Sequence, residues 1–228
     1  MQTIWGIDLG GTKIEGVVLS SPSPDAVIIR KRIDTEAHKG YEHIAGRIVE
    51  LVRALEAETG FKAPSIGIGT PGTVEPSNGL MKNCNTTCLN DMPLQSDLAN
   101  TLGIPVFIAN DANCFALAEA TMGIVPDVVP DYQCVFGVIM GTGVGGGVVI
   151  KGKDGQSFVL NGTQGIGGEW GHNELEPNGY DCYCGKKGCV EQVLSGPALQ
   201  RYYAQISGQE LKMKDIVARH YAGTDPFA

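Results

Sequence analysis

The chain has 228 residues, with 25 acidic side chains against 17 Lys and Arg, and a net charge of -8. That length can bury a substantial core as one large domain or two small ones, and the acidity argues against a nucleic-acid partner. No apolar run is long enough to span a bilayer, Met1 leads straight into a strand pattern, and four of the seven cysteines stand apart from any cluster, which fits reduced thiols in a cytoplasm.

Residues 3–9 (TIWGIDL) read as a buried strand, followed by Gly10-Gly11-Thr12-Lys13 and a second strand over 14–19. The turn offers bare backbone N–H groups, a hydroxyl and an ammonium, a set suited to a phosphate. Asp8, at the end of the strand, is placed to hold a phosphate-bound Mg2+. An ordinary hairpin with a glycine turn would show the same pattern. A polar turn at 20–25 leads to a third strand at 26–33.

Over 41–58, Tyr41, Ile44, Ile48, Leu51, Val52 and Leu55 recur at helical spacing and Gly60 follows as a stop, so this stripe is core. A short strand at 65–69 opens into Thr70-Pro71-Gly72 and a loop reaching residue 91, a length usually kept for function. A helix at 94–102, a strand at 105–109 and a helix running to 120 complete a first lobe, residues 1–122. Asp111 follows that strand and opens that helix, a place that suits either a catalytic base or a helix N-cap. A Pro-marked linker covers 123–131.

The second lobe, 133–228, begins with a strand at 134–140, a glycine turn at 141–147 (GTGVGGG) and a resumed strand at 148–150, with a hairpin turn at 152–155. This repeats the opening strand–turn–strand unit, as a duplicated lobe would. Two such cradles facing across a cleft would grip a polyphosphate from both sides. Helices are expected at 197–206 and near 211–221, with no further strand.

Residues 168–191 (GEWGHNELEPNGYDCYCGKKGCVE) gather one His and three Cys. His172, Cys182, Cys184 and Cys189 are the ligand types of a tetrahedral zinc, and a polar, Gly-rich loop offers no core for free cysteines to fill. A structural Zn2+ is therefore expected, against the plain alternative of reduced thiols in a loop. It would staple a segment with Glu169 at one end and Glu191 at the other. Lys186 and Lys187 read as exposed charge on this loop, and Trp170 as packing it against the core.

Taken together, IDLGGTK at 7–13, NDAN at 110–113, GTGVGGG at 141–147, and GEWGH with CYCGKKGC and Glu191 resemble the ROK family of bacterial sugar kinases and related repressors. The resemblance runs from residue 4 to about 200. It implies an α/β, actin-like (ribonuclease H-like) fold of two lobes and ATP-dependent phosphorylation of a hexose in the cleft between them. It places the catalytic base at Asp111. It makes Asn110, Glu169, His172 and Glu191 sugar-hydroxyl ligands, with Gly72 and Asn85 added from the long loop and Asp111 touching the reacting hydroxyl. Asp8, Gly10, Gly11, Thr12, Lys13, Gly141, Thr142 and Gly143 match its phosphate motifs, for ATP with Mg2+. His172 would meet zinc through one ring nitrogen and sugar through the other.

Within the family, KNCNTTCLND, GEWGHN and CYCGKKGC look most like the fructokinase and mannokinase branch, so fructose or mannose is expected, with N-acetylglucosamine kinases and glucokinases as near neighbours. The competing classes are a sugar-responsive ROK repressor lacking its DNA-binding module and a non-enzymatic actin-like ATPase. Beyond Ser195 the pattern is helical, so the second lobe is expected to be incomplete at its C-terminal end. Sugar and zinc should then bind better than ATP. An unfinished sheet edge favours self-association, and a homodimer is expected.

Overall fold

The computed structural model describes residues 3–228. Strands β1 (Ile4–Leu9), β2 (Lys13–Leu19) and β3 (Val27–Asp34) form an antiparallel meander. Helix α1 (Tyr41–Thr59) follows, ending where Gly60 adopts a left-handed conformation and bonds back to the Glu56 carbonyl. Strand β4 (Ile66–Thr70) then pairs parallel to β1. The expected loop after it contains a small hairpin of β5 (Thr73–Val74) and β6 (Met81–Lys82). Helix α2 (Leu94–Leu102) leads to β7 (Val106–Asn110), parallel to β4, and closes a five-stranded sheet in the order β3-β2-β1-β4-β7.

The strands alternate as a sheet covered on one side should. In β1, Trp5, Ile7 and Leu9 are buried, while Ile4 and Asp8 face outward. The helical stripe Ile44, Ile48, Leu51 and Leu55 packs on that buried face with Ile14, Val18, Ile66 and Ile68, all nearly sealed from solvent. Burial of each such side chain stabilises the lobe by about 1.5–3 kcal/mol. Gly16 admits the helix here: a Cβ at this position would stand 2.7 Å from Leu55 Cδ1.

Helix α3 (Asp111–Thr121) departs from the two-lobe division drawn at residue 122. It continues directly from β7, yet its buried Ala116 and Ala120 pack in a second cluster with Tyr132 and Val149. The expected linker is likewise part of this cluster: it carries the short helix α4 (Val125–Val128), and Val125 packs there.

The second sheet is a three-stranded antiparallel meander, β8 (Cys134–Met140), β9 (Val144–Lys151) and β10 (Ser157–Val159), in the order β10-β9-β8. Sequence reading placed a turn across 141–147 and gave no strand at 157–159. The structure corrects both. The turn is confined to Gly141–Gly143, and Gly145, Gly146 and Gly147 are paired within β9. The reason is close packing on both faces of one strand. A Cβ on Gly147 would come 2.7 Å from the Ala112 carbonyl and 2.8 Å from Ala116 Cβ, on the α3 side. A Cβ on Gly146 would come 2.9 Å from Phe136 and 3.1 Å from Trp170 Nε1, on the opposite side.

Past β10, no further strand occurs among the described residues, only two isolated bridges within the cysteine loop. Helices α5 (Glu191–Leu194), α6 (Gly196–Ser207) and α7 (Met213–Ala222) complete the chain. No helix among the described residues is long and apolar enough to cross a membrane.

Candidate active site

The site is assembled where α3 begins. Asn110, with extended backbone, is the N-cap of α3: its Oδ1 accepts from the Asn113 N–H at 3.2 Å and its Nδ2 donates to the Gly72 carbonyl at 3.0 Å. The cap is therefore Asn110, and Asp111 is the first helical residue. Asp111 Oδ1 accepts from the next N–H, that of Ala112, at 2.8 Å. The Asn110 amide also ties α3 to the loop after β4, and that loop tolerates only glycine at position 72. Gly72 has φ of +76°, and a Cβ there would lie 2.3 Å from the Lys82 carbonyl.

Across the cleft, the 168–172 segment lies flat on β9. Cβ atoms on Gly168 and Gly171 would overlap the carbonyls of Gly146 and Val144 at 1.8 and 1.9 Å. Trp170 Nε1 donates to the Gly145 carbonyl at 2.8 Å, and its ring meets Phe136 edge-on, so this indole packs the segment against the sheet. This seating presents Glu169 and His172 to the cleft. Glu191, almost wholly buried at the start of α5, accepts from the Val144 N–H at 3.0 Å through Oε2. A Cβ on Gly143 would stand 2.7 Å from that same oxygen, so glycine is what lets the carboxylate sit on the turn.

One cavity of about 250 Å3 collects Gly72, Asn85, Asn110, Asp111, Gly141, Thr142, Gly143, Glu169, His172 and Glu191. All seven residues expected at the sugar line it, and so does the second glycine turn. Asp8 lies apart, in an adjoining groove on the open face of the first sheet that Asp111 also lines. The first turn, Gly10 to Lys13, is at the surface and lines neither of these spaces. It is held by Gly10 N–H to the Lys13 carbonyl at 2.9 Å and by the Thr35 hydroxyl donating to the Gly10 carbonyl at 2.7 Å.

The cavity is crowded with acid. Asp111 is open toward the cleft yet enclosed by protein on either side. Burial pushes its carboxyl above the ordinary range, the Ala112 N–H opposes this, and the charge of Asp8 adds to the rise. Burial also raises Glu169, with Asp111 and Glu191 adding repulsion against the opposing pull of His172. Asp8 is raised by burial and by Glu15, with Arg32 working the other way. A group that accepts a proton readily while facing a polyol is what acid–base chemistry on a hydroxyl needs.

Beside the cavity, one ligand atom from each of His172, Cys182, Cys184 and Cys189 falls within 4.8 Å of all the others. Cys182 Sγ and His172 Nδ1 are 3.6 Å apart, as are Cys184 Sγ and Cys189 Sγ. A tetrahedral zinc with bonds of about 2.3 Å to sulfur separates its ligands by about 3.7 Å, so the donor set and its spacing fit that ion. Lys186 and Lys187 are exposed, bonded to the His172 carbonyl and to Asp181 respectively.

Sequence reasoning missed Tyr183. Its hydroxyl is 3.1 Å from His172 Nε2, and its ring meets the imidazole edge-on at 5.2 Å. The only available signal was an aromatic between two metal-type cysteines.

A family model described as the ROK family matches residues 4–227. The chain is 39% identical over 200 residues to a glucokinase of Thermotoga maritima, covering 86% of this chain and 58% of that protein. It is 35% identical over 231 residues to an N-acetyl-D-glucosamine kinase of Pasteurella multocida, covering 96% of this chain and 71% of that one. Among solved structures, a ROK family glucokinase from Streptomyces griseus in complex with glucose and AMPPNP is similar at a TM-score of 0.71 and 30% identity, over 90% of this chain and 61% of that one. The chain spans from 58% to 71% of the length of these three relatives.

Proposed function

The chain belongs to the ROK family, and from that membership we propose that it serves ATP-dependent phosphorylation of a hexose, with Asp111 as the base. The carrying observation is the convergence of Asn110, Asp111, Glu169, His172, Glu191 and the Gly141–Gly143 turn on one cavity. Carboxylates accept from sugar hydroxyls, and an Asn amide both donates and accepts. In the transfer, the bound hydroxyl oxygen attacks the terminal phosphorus, the bond to the bridging phosphate oxygen breaks, and Asp111 takes the hydroxyl proton. The raised proton affinity of Asp111 suits that role.

The backbone N–H groups and hydroxyl of the Gly141–Gly143 turn would hold the phosphates; the Gly10–Lys13 turn carries the same donor types but lies outside both spaces, so its part rests on the family motif alone. Asp8 would hold Mg2+, which when bound neutralises phosphate charge. The four-ligand His and Cys set would hold a structural zinc, which when bound fixes the ring of His172 and the start of α5. Fructose and mannose, put first by the sequence, are not named in the relatives described above. Glucose and N-acetylglucosamine are the sugars those relatives support, and we place them first.

The test is ADP release with ATP and a panel of glucose, N-acetylglucosamine, mannose and fructose, together with calorimetric titration of each sugar. Asp111→Ala should lower turnover by about 10²–10⁴-fold, with metal content and fold retained. A loss below ten-fold would remove Asp111 from the base role, and wild-type protein that binds no hexose would overturn the reading as a whole.

A further inference from the structure

Tyr183 is held in place by its neighbours in sequence. It lies between Cys182 and Cys184, whose sulfurs face the metal position, so the backbone at 183 is fixed from both sides. Tyr183 as a residue is 72% exposed and supports no core. It lines the inner cavity beside Asp111, Glu169 and Glu191, and it also lines a second, larger cleft of about 1110 Å3 that opens outward. Glu169, His172, Asn83 and Asn85 share that double position, so these residues form the boundary between the two spaces. A substituent carried by a sugar in the inner cavity, on the His172 side, would project across this boundary into open volume.

The hydrogen-bond polarity of that boundary follows from the imidazole. His172 turns Nδ1 toward Cys182 Sγ and the metal position and Nε2 toward the Tyr183 hydroxyl. With Nδ1 offering its lone pair to the metal, Nε2 carries the proton and donates to the phenol oxygen, so the ring nitrogen expected to meet sugar is paired with Tyr183 instead. The Tyr183 O–H is then left free to donate. The inner cavity's carboxylates on Asp111, Glu169 and Glu191 are acceptor-only when ionised, a good match to sugar hydroxyls and a poor one to a carbonyl oxygen. Of the second-lobe residues that line both spaces, Glu169, His172 and Tyr183, Tyr183 has the side-chain donor not already committed, whereas Asn173 and Lys186 line the outer cleft alone. Glu169 stands on the same boundary as an acceptor. An acetamide needs one of each: an acceptor for its N–H and a donor for its C=O.

We propose that Tyr183 donates a hydrogen bond from its hydroxyl to the carbonyl of an N-acyl substituent, making it the residue that sets preference for an N-acetylhexosamine over the unsubstituted hexose. The proposal rests on the hexose-kinase reading and on the metal set described above, and it assigns the outer cleft as the space for the acyl group.

Tyr183→Phe removes the hydroxyl and keeps the ring. The experiment titrates N-acetylglucosamine and glucose calorimetrically against wild-type and variant protein, with metal content and melting temperature measured on both. Affinity for N-acetylglucosamine should fall by about three- to ten-fold, the size of one lost hydrogen bond, while glucose changes by less than about two-fold and metal content stays the same. Equal losses for both sugars would mean that Tyr183 only steadies His172, and no change for either would mean that it reads nothing. Each of these results overturns the proposal. Tyr183→Ala, in which the ring contact to His172 is also lost, should reproduce the same selective loss. Wild-type protein that binds neither sugar is a separate failure, because it removes the hexose-kinase reading together with this proposal.

Discussion

The two sheets open with the same meander and are covered in opposite ways. In the first, α1 rests on the β1–β2–β3 unit through long side chains, with Leu51 and Leu55 filling the space between helix and sheet. In the second, α3 rests on β8 and β9 through Ala116 against Gly137 and Gly147, so helix and sheet are separated by little more than backbone. The first arrangement gives a thick core with no chemistry in it. The second draws the N-terminus of α3 hard against the glycine turn and delivers Asp111 to the cavity. Where a site must be formed by backbone and short polar groups, side-chain bulk is removed from the layer beneath it.

The largest expected effect separates the regions by metal. The chain has two tryptophans, and each reports on one lobe: Trp5 is buried in the first core, and Trp170 is bonded to Gly145 in the second. Metal binding to such a site contributes directly to folding. In Cys184→Ala, Trp170 emission should shift to the red while Trp5 emission is unchanged, as read in Trp5→Phe and Trp170→Phe backgrounds. A simultaneous shift of both would mean that the lobes unfold as one unit.

A smaller effect compares one added methyl group in each sheet. Gly147→Ala forces a Cβ to within 2.7 Å of the Ala112 carbonyl, while Gly67→Ala places one no nearer than 4.0 Å to anything but its chain neighbours. Overpacking costs roughly 1–3 kcal/mol, so Gly147→Ala should lose about that in urea unfolding while Gly67→Ala stays within about 0.5 kcal/mol. Equal costs would refute the account of close backbone packing.

The smallest effect is electrostatic. Asp8, Asp111 and Glu169 bind protons more tightly folded than unfolded, burial being the leading cause in each. The folded state then carries the extra protons, so these groups withdraw stability as pH rises through a window that starts at the ordinary carboxylate values and extends upward. The melting temperature of Asp111→Asn minus that of wild type should grow as pH rises through this window and level off above it. A difference that is flat or shrinks with pH would contradict the burial described for the cleft.

Much of the first lobe was legible because its signals are periodic. The Tyr41–Leu55 stripe and the alternation in β1 come from burying one face, and burial leaves its period in the sequence. The second lobe hides its rule. Gly145, Gly146 and Gly147 look like a turn because glycine usually marks one, whereas here the missing Cβ serves contact between layers, which no local pattern records. The same holds for α3, whose sequence continues the first lobe while its packing partner lies 30 residues on. The residues proposed to face the sugar were readable through motif resemblance, and the cavity gathers all seven of them. Two details lay beyond it: Asn110 rather than Asp111 takes the cap, and Tyr183 sits on His172.

The placement of α3 also bears on how the chain is made. Its helix is complete at Thr121, but β9, the later of the two strands that cover Ala116, ends at Lys151. At roughly 5–20 residues per second of synthesis, about 30 residues correspond to ~2–6 s. For that interval the first sheet can already close, while the alanine face of α3 waits uncovered on its edge. The Asp111 end of the helix is thus anchored early through Asn110 and Gly72, and its other contacts are filled last.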